Sequence, residues 1–168
     1  MLSIRPFRLT DVDDFLTWAS DDKVTQYLRW KSITNKEQAL TYLKEIVIPH
    51  PWRRSICWDN KSIGYISVKP EQGTDSHRAH ISYAISYEFW GRGLTTAAVK
   101  MAIRMVFQEL PNLVRIEGLV ENENVASQKV LEKAGFQKEG YLRKYGFNKG
   151  QIRDMIMYSF LSTDVISS

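Results

Sequence analysis

Tyr87-Glu88-Phe89-Trp90-Gly91-Arg92-Gly93-Leu94-Thr95-Thr96 brings together the end of an extended run, a glycine-rich turn and the start of a helix. Upstream, Ala79 to Ser86 alternates, with His80, Ser82 and Ala84 on one face and Ile81, Tyr83 and Ile85 on the other, which predicts a strand. Downstream, Leu94, Ala97, Ala98, Met101, Ala102 and Met105 recur at three-and-four spacing, which predicts an amphipathic helix ending before Pro111. A strand, a Gly turn and a helix start in this order suit a phosphate group. Glycines let the backbone turn tightly with N–H groups converging outward, and the helix N-terminus adds about half a unit of positive charge. Arg92 supplies a full charge beside it. On spacing alone, the same residues equally describe a turn that merely needs glycine. The chain has no Gly-x-Gly-x-x-Gly and no Gly-Lys-Ser/Thr here, which removes the dinucleotide and P-loop readings.

Outward from this segment, Leu2 to Leu9 predicts a first strand, and Thr10 to Asp14 opens a helix running to about Ala19. Ser20-Asp21-Asp22 starts a short helix ending near Leu28, and the capping box Thr34-Asn35-Lys36-Glu37 opens another, to about Val47, stopped by Pro49 and Pro51. Arg54 to Trp58 and Ser62 to Val68 form a hairpin across Asp59-Asn60-Lys61. Leu113 to Val120 is a strand, and Asn124 to Ala134 is a helix closed by Gly135. Phe136 to Tyr145 and Ile152 to Leu161 are strands joined through Asn148-Lys149-Gly150. This order predicts an α/β sandwich around one mixed sheet, a single domain over residues 1–168 in which only the last few residues fray.

The 168 residues, 43% hydrophobic, suit one core. Apolar runs are far shorter than the roughly 18 residues of a membrane helix, and the N-terminus reads as no export signal, so the expected location is the cytoplasm, with no membrane partner. The lone Cys57 and three histidines without ligand spacing predict no metal. The net charge of +4 suits an anionic partner, but the basic residues are scattered among acids, so nucleic acid is not expected. A cofactor with several phosphates satisfies the same field.

Three passages resemble the GNAT superfamily of N-acetyltransferases, and within it the RimJ/RimL-like ribosomal-protein N-terminal acetyltransferases and their plant relatives. Phe89 to Ala98 resembles the family's pyrophosphate loop. Asn124-Val125-Ala126-Ser127, then Val130 to Phe136 and Glu139-Gly140, matches the subgroup most specifically; Arg153-Asp154 is the third passage. The similarity runs from Ile4-Arg5-Pro6 to Tyr158. It implies a mixed, mostly antiparallel seven-stranded sheet flanked by helices, with acetyl-CoA held where the strand ending at Ser86 splays from the strand Leu113 to Val120. Backbone groups of Ala84, Ile85 and Ser86 would pair with the pantetheine arm. The N–H groups of Gly91, Arg92, Gly93, Leu94, Thr95 and Thr96 would hold the pyrophosphate, Asn124 would bond the pantetheine, and Ser127 would protonate the departing thiolate as general acid. Asn124 and Ser127 also read as helix-capping residues.

The resemblance further implies an acetyl-CoA dependent N-acetyltransferase acting on a primary amine of a small molecule or a protein N-terminus, working as a monomer or homodimer. The sequence departs from the family at three positions: His80 stands where many relatives have a base Glu, Trp90 where Gln or Arg is usual, and Thr95 where Gly or Ala is usual. His80 is a candidate base, or only a partner for a neighbouring side chain. Tyr145 is a second candidate, or a residue packed at a sheet edge. The His80 departure also fits a non-catalytic acyl-CoA binding or sensing module. Trp18, Tyr27, Leu28, Trp30 and Trp52 are either the lining of an acceptor cleft or core. A polycationic acceptor is disfavoured by the protein's own sign.

Overall fold

Residues 1–166 are described by a computed structural model, and the expected fraying at Ser167 and Ser168 lies outside them. The elements follow the hydrophobic periodicity. Strand β1 (Leu2–Pro6) ends at proline, a single 3-10 turn Leu9–Asp11 leads into α1 (Val12–Ala19), and α2 is the short turn Asp22–Thr25. Arg5 holds this entry by a two-pronged contact with Asp11, 2.8 Å on each side. Asn35 caps α3 (Lys36–Tyr42) by accepting from the Gln38 amide, and the helix widens into a π-turn at Leu43–Val47. Then come β2 (Arg53–Trp58), β3 (Lys61–Pro70), β4 (Arg78–Ile85), α4 (Leu94–Glu109), β5 (Arg115–Glu121), α5 (Val125–Lys133), β6 (Gln137–Asn148) and β7 (Gln151–Leu161).

The strands form one seven-stranded sheet in the order β1-β2-β3-β4-β5-β7-β6, antiparallel throughout except β4 against β5. Each face has its own core. Ile66, Val68, Ile116 and Tyr158 join Ala98, Ala102 and Ile103 of α4 and Leu131 of α5 on one side. Phe15, Trp18, Ala39 and Leu43 cover Tyr65 on the other.

Three boundaries move. Strand β1 stops at Pro6, short of the expected Leu9, where the 3-10 turn already begins. The expected second helix stops at Thr25, well short of Leu28, because Leu28 lies in the turn that follows, its amide donating to Thr25. Strand β6 continues past Tyr145 to Asn148 by absorbing a bulge: Leu142 pairs with Met155 and Gly146 with Arg153, so Arg143, Lys144 and Tyr145 oppose Asp154 alone. Asp154 pins the bulge, accepting from the Lys144 amide at 2.6 Å and from the Tyr141 hydroxyl at 2.7 Å.

Candidate active site

The parallel strands β4 and β5 pair only at Arg78 with Arg115, Ala79 with Ile116 and His80 with Glu117. Beyond His80 they separate, as the family resemblance implies, and a cleft of about 1030 Å³ occupies the opening. The backbone along this edge is left without a neighbouring strand. Ser86 donates its amide to Ile63 at 2.7 Å, and an antiparallel ladder turns alternate residues toward the partner. Ala84 therefore also faces β3, in agreement with its carbonyl oxygen lying 2.2 Å from where a Cβ on Gly64 would sit.

Ala84 and Ile85 both line the cleft, but the backbone of the three residues expected against the pantetheine arm, Ala84, Ile85 and Ser86, does not all face it. Only Ile85 turns its backbone to the opening, together with Ile81 and Tyr83, which the sequence reading missed. Counting by twos from the hairpin partner would have found them. The Ile85 carbonyl is already used, since the Trp90 indole donates to it at 2.8 Å and staples the turn to the strand.

After Ile85 a 3-10 turn, Tyr87–Phe89, leads to Gly91 (φ 77°) and Gly93 (φ 73°), both left-handed, and then to α4. Nothing would touch a Cβ at either glycine, so conformation and not space requires them. The amides from Gly91 to Thr96 donate to no backbone acceptor among the described residues, while Gly91, Gly93, Leu94, Thr95 and Thr96 line the cleft. A cradle of unsatisfied amides at a helix start fits a diphosphate. Arg92 does not add its charge there. Its guanidinium folds back over Phe89, 5.1 Å from the ring centre, and donates to the Glu88 carbonyl at 3.2 Å, outside the cleft lining.

Asn124 and Ser127 face the same opening from the start of α5. Asn124 Oδ1 accepts from the Ser127 amide at 3.2 Å, so the capping role is real; its backbone amide donates to Glu121, and its side-chain Nδ2 remains free to donate. Ser127 Oγ lies 2.7 Å from the Tyr83 hydroxyl, a partner absent from the sequence reading. Burial pushes the Tyr83 phenol well above its ordinary pKa, so it stays protonated and able to donate.

His80 lines the cleft at the base of the split, with Nε2 2.6 Å from Glu71 Oε1. That contact sets an acidic neighbour beside the imidazole. Tyr145 is not brought here. The bulge in β6 ejects it, 58% exposed, into a shallow depression with Tyr141, Lys144 and Asp154, away from the cleft. Of the aromatic candidates, Tyr27, Leu28 and Trp30 line the cleft, whereas Trp18 and Trp52 are core residues, each 1% exposed.

Glu121 was also missed. It is buried at the end of β5, accepts from Asn148 Nδ2 at 2.9 Å and lies 3.2 Å from Arg153 Nε. Among the described residues no group of metal-ligating side chains is present and no helix is long and apolar enough to cross a membrane.

A mixed seven-stranded sheet, split between its two parallel strands with a helix start at the opening, defines the acyl-CoA N-acyltransferase fold. The acetyltransferase (GNAT) domain family matches residues 1–137, and the chain belongs to this family of acetyltransferases. An uncharacterized N-acetyltransferase, p20, of Bacillus licheniformis is 34% identical over 97% of this chain and 94% of its own. Over a shorter stretch, 47% of this chain and 42% of the other, the spermidine N(1)-acetyltransferase of Escherichia coli is 38% identical. The solved structure of Mycobacterium smegmatis RimJ in complex with CoA-disulfide superposes with a TM-score of 0.80 at 25% identity, covering 96% of this chain and 82% of that one.

Proposed function

We propose that the protein moves an acetyl group from acetyl-CoA to a primary amine by direct attack, and that its acceptor is a protein N-terminal α-amine. The observation that carries this reading is the meeting, in one cleft, of the free amides of Gly91 to Thr96 with the Ser127–Tyr83 hydroxyl pair. Those amides hold the diphosphate, the pantetheine takes the place of a missing strand along the open edge of β4 at Ile81, Tyr83 and the Ile85 amide, and Asn124 Nδ2 adds a donor. Acetyl-CoA supplies the activated acyl carbon and a thiolate leaving group.

Ser127 Oγ holds the proton that the sulfur takes up, and Tyr83, kept neutral by burial, can donate to the serine oxygen as that proton leaves. At the other side, His80 is the candidate acceptor for an amine proton, and Glu71 beside its Nε2 would stabilise the imidazolium that forms. An α-amine with pKa near 8 needs only such a weak base, whereas a lysine near 10.4 stays charged at neutral pH. The cationic lining of the cleft, which includes Arg29, Arg53 and Arg153, further favours the neutral amine.

The test joins binding to turnover. Acetyl-CoA at a hundredfold excess over its dissociation constant should stabilise the protein by about 2.7 kcal/mol. Free thiol should then appear on addition of a library of N-terminal peptides, with the product read by mass spectrometry. Stabilisation absent, or thiol release with lysine side chains and spermidine but with no α-amine, would contradict the proposal.

A further inference from the structure

The cleft opens on both faces of the sheet, and the two mouths differ in what they offer. Tyr83, Ser127 and the loop Gly91 to Thr96 lie toward α4 and α5. The opposite mouth is built from residues that alternate with the buried ones. Arg53 of β2 is opposite Ser67, which is opposite Ser82 of β4, and cross-strand partners share a face. Across the split, Met155 pairs with Glu121, and Arg153 pairs with Gly146. A Cβ on Gly146 would point at Met155 Sδ and, 3.8 Å away, Arg29 Nη2, so Arg29 comes down on the same face as Arg153.

This second mouth is charged far beyond its internal needs. Arg29 donates Nη1 to the Phe147 carbonyl at 3.3 Å and has no carboxylate partner among the described residues. Arg53 lies 5.2 Å from the Tyr65 ring centre, also without a carboxylate, and its buried Nε has no acceptor. Arg153 Nε sits 3.2 Å from Glu121 Oε1 but is not aligned to donate, so it too is a buried donor without a hydrogen bond. Glu121 is the acidic residue in the cleft lining, and Asn148 already occupies its other oxygen. Buried guanidinium donors are normally satisfied, and their forked geometry matches a planar oxyanion. Lys149 adds no free charge to this mouth, because its ammonium is committed to the carbonyls of Thr25 and Leu28.

We infer that the acceptor is an amine whose own molecule carries a carboxylate, seated by Arg29, Arg53 and Arg153 at the mouth opposite the diphosphate cradle. This rests on the acetyl-transfer reading above and deepens it. The carboxylate belongs either to an acidic side chain in the first residues of a peptide or to a free amino acid.

Peptides sharing one N-terminal residue but followed by Asp and Glu, by Asn and Gln, or by Lys are compared for thiol release at fixed acetyl-CoA, with free aspartate and glutamate alongside. The acidic peptides are expected to exceed their amide counterparts in kcat/KM by about tenfold or more, as loss of a charge-assisted hydrogen bond predicts. The advantage should shrink as ionic strength rises. Arg29→Gln and Arg53→Gln should each narrow the ratio, and Arg29→Glu should turn it toward the lysine peptides. The acetyl-CoA thermal shift of each variant confirms that it folds. Higher turnover of the free amino acids than of any peptide would identify the second source of the same carboxylate.

Equal or better use of the amide or lysine peptides overturns the inference, as does an unchanged ratio in the variants. Protein that binds acetyl-CoA yet consumes it with no acidic acceptor overturns it as well, leaving the cofactor site standing. Failure of both the acetyl-CoA shift and all thiol release removes the acetyl-transfer reading itself.

Discussion

At the scale of single residues, Ser127 and Tyr83 separate two contributions. Ser127→Ala removes the proton held for the sulfur and should lower kcat by about a hundredfold, the usual size of general-acid assistance, while the acetyl-CoA thermal shift persists. Tyr83→Phe removes a donor to Ser127 and should have a smaller effect in the same direction, read by the same thiol-release assay. Gly64 fails for a different reason. A Cβ there would lie 2.2 Å from the Ala84 carbonyl oxygen, and the contact is with backbone, so Gly64→Ala should destabilise by about 3 kcal/mol in urea unfolding. The proposed role of Ser127 came from the family resemblance, carried by the run Asn124 to Ser127 that is visible in sequence. Its partner did not, because Tyr83 is distant in sequence and only the packing of α5 against the split brings it within 2.7 Å.

At the scale of elements, the turn from β4 to α4 concentrates the function. Gly91→Ala and Gly93→Ala each force a left-handed backbone on an L side chain, which costs about 1 to 2 kcal/mol. Since nothing would touch the added methyl, the loop can escape by moving, so weaker acetyl-CoA binding by isothermal titration is the expected result rather than loss of the fold. The strand-turn-helix order was readable from alternation and glycine. Which N–H groups face the opening was not, since that depends on which residues of β4 are already claimed by β3. The bulge in β6 was equally hidden, and it is why Tyr145 reads as a site residue in a strand that ends early and is none in a strand that continues. A clamp across β7 holds this edge: Arg115 of β5 grips Glu139 of β6 with both nitrogens, and Ser159 between them also donates to the carboxylate. These contacts, Arg115 first, hold the Glu139 carboxyl down at about 2. A depressed carboxylate stabilises the fold fully above its ordinary pKa and loses that contribution as pH falls from about 4.5 to about 2. Solvent screening limits the loss to about 1 kcal/mol, and Glu139→Gln should flatten acid unfolding in that window by this amount.

At the scale of the whole molecule, His50 adds a second acid response at a higher pH. Burial first, then the charges of Arg53 and Lys69, depress it from 6.5 to about 4 while its Nδ1 accepts from the Trp52 amide at 3.0 Å. The folded state holds this imidazole neutral, so as pH falls below 6.5 the unfolded chain takes up the proton first and stability is lost until about 4. About 1 to 2 kcal/mol after screening should appear as a falling melting temperature across that range, and His50→Gln should remove it. The two windows overlap only between about 4 and 4.5, so a pH series of thermal melts resolves both.

The sequence by itself determined the elements, their order and the class of fold, because apolar periodicity, capping residues and glycine act within a few positions of one another. It also carried the family, through Asn124 to Phe136 and the turn at Gly91 to Gly93. Only the tertiary structure decided which groups meet in the cleft. Pairing register chose Ile81, Tyr83 and Ile85 over Ala84 and Ser86, and a bulge removed Tyr145. The folding of Arg92 onto Phe89 withdrew a charge that spacing had promised. The gathering of Arg29, Arg53 and Arg153 at one mouth joins residues from a loop, the second strand and the last strand, and no local pattern can encode a contact made at that distance along the chain.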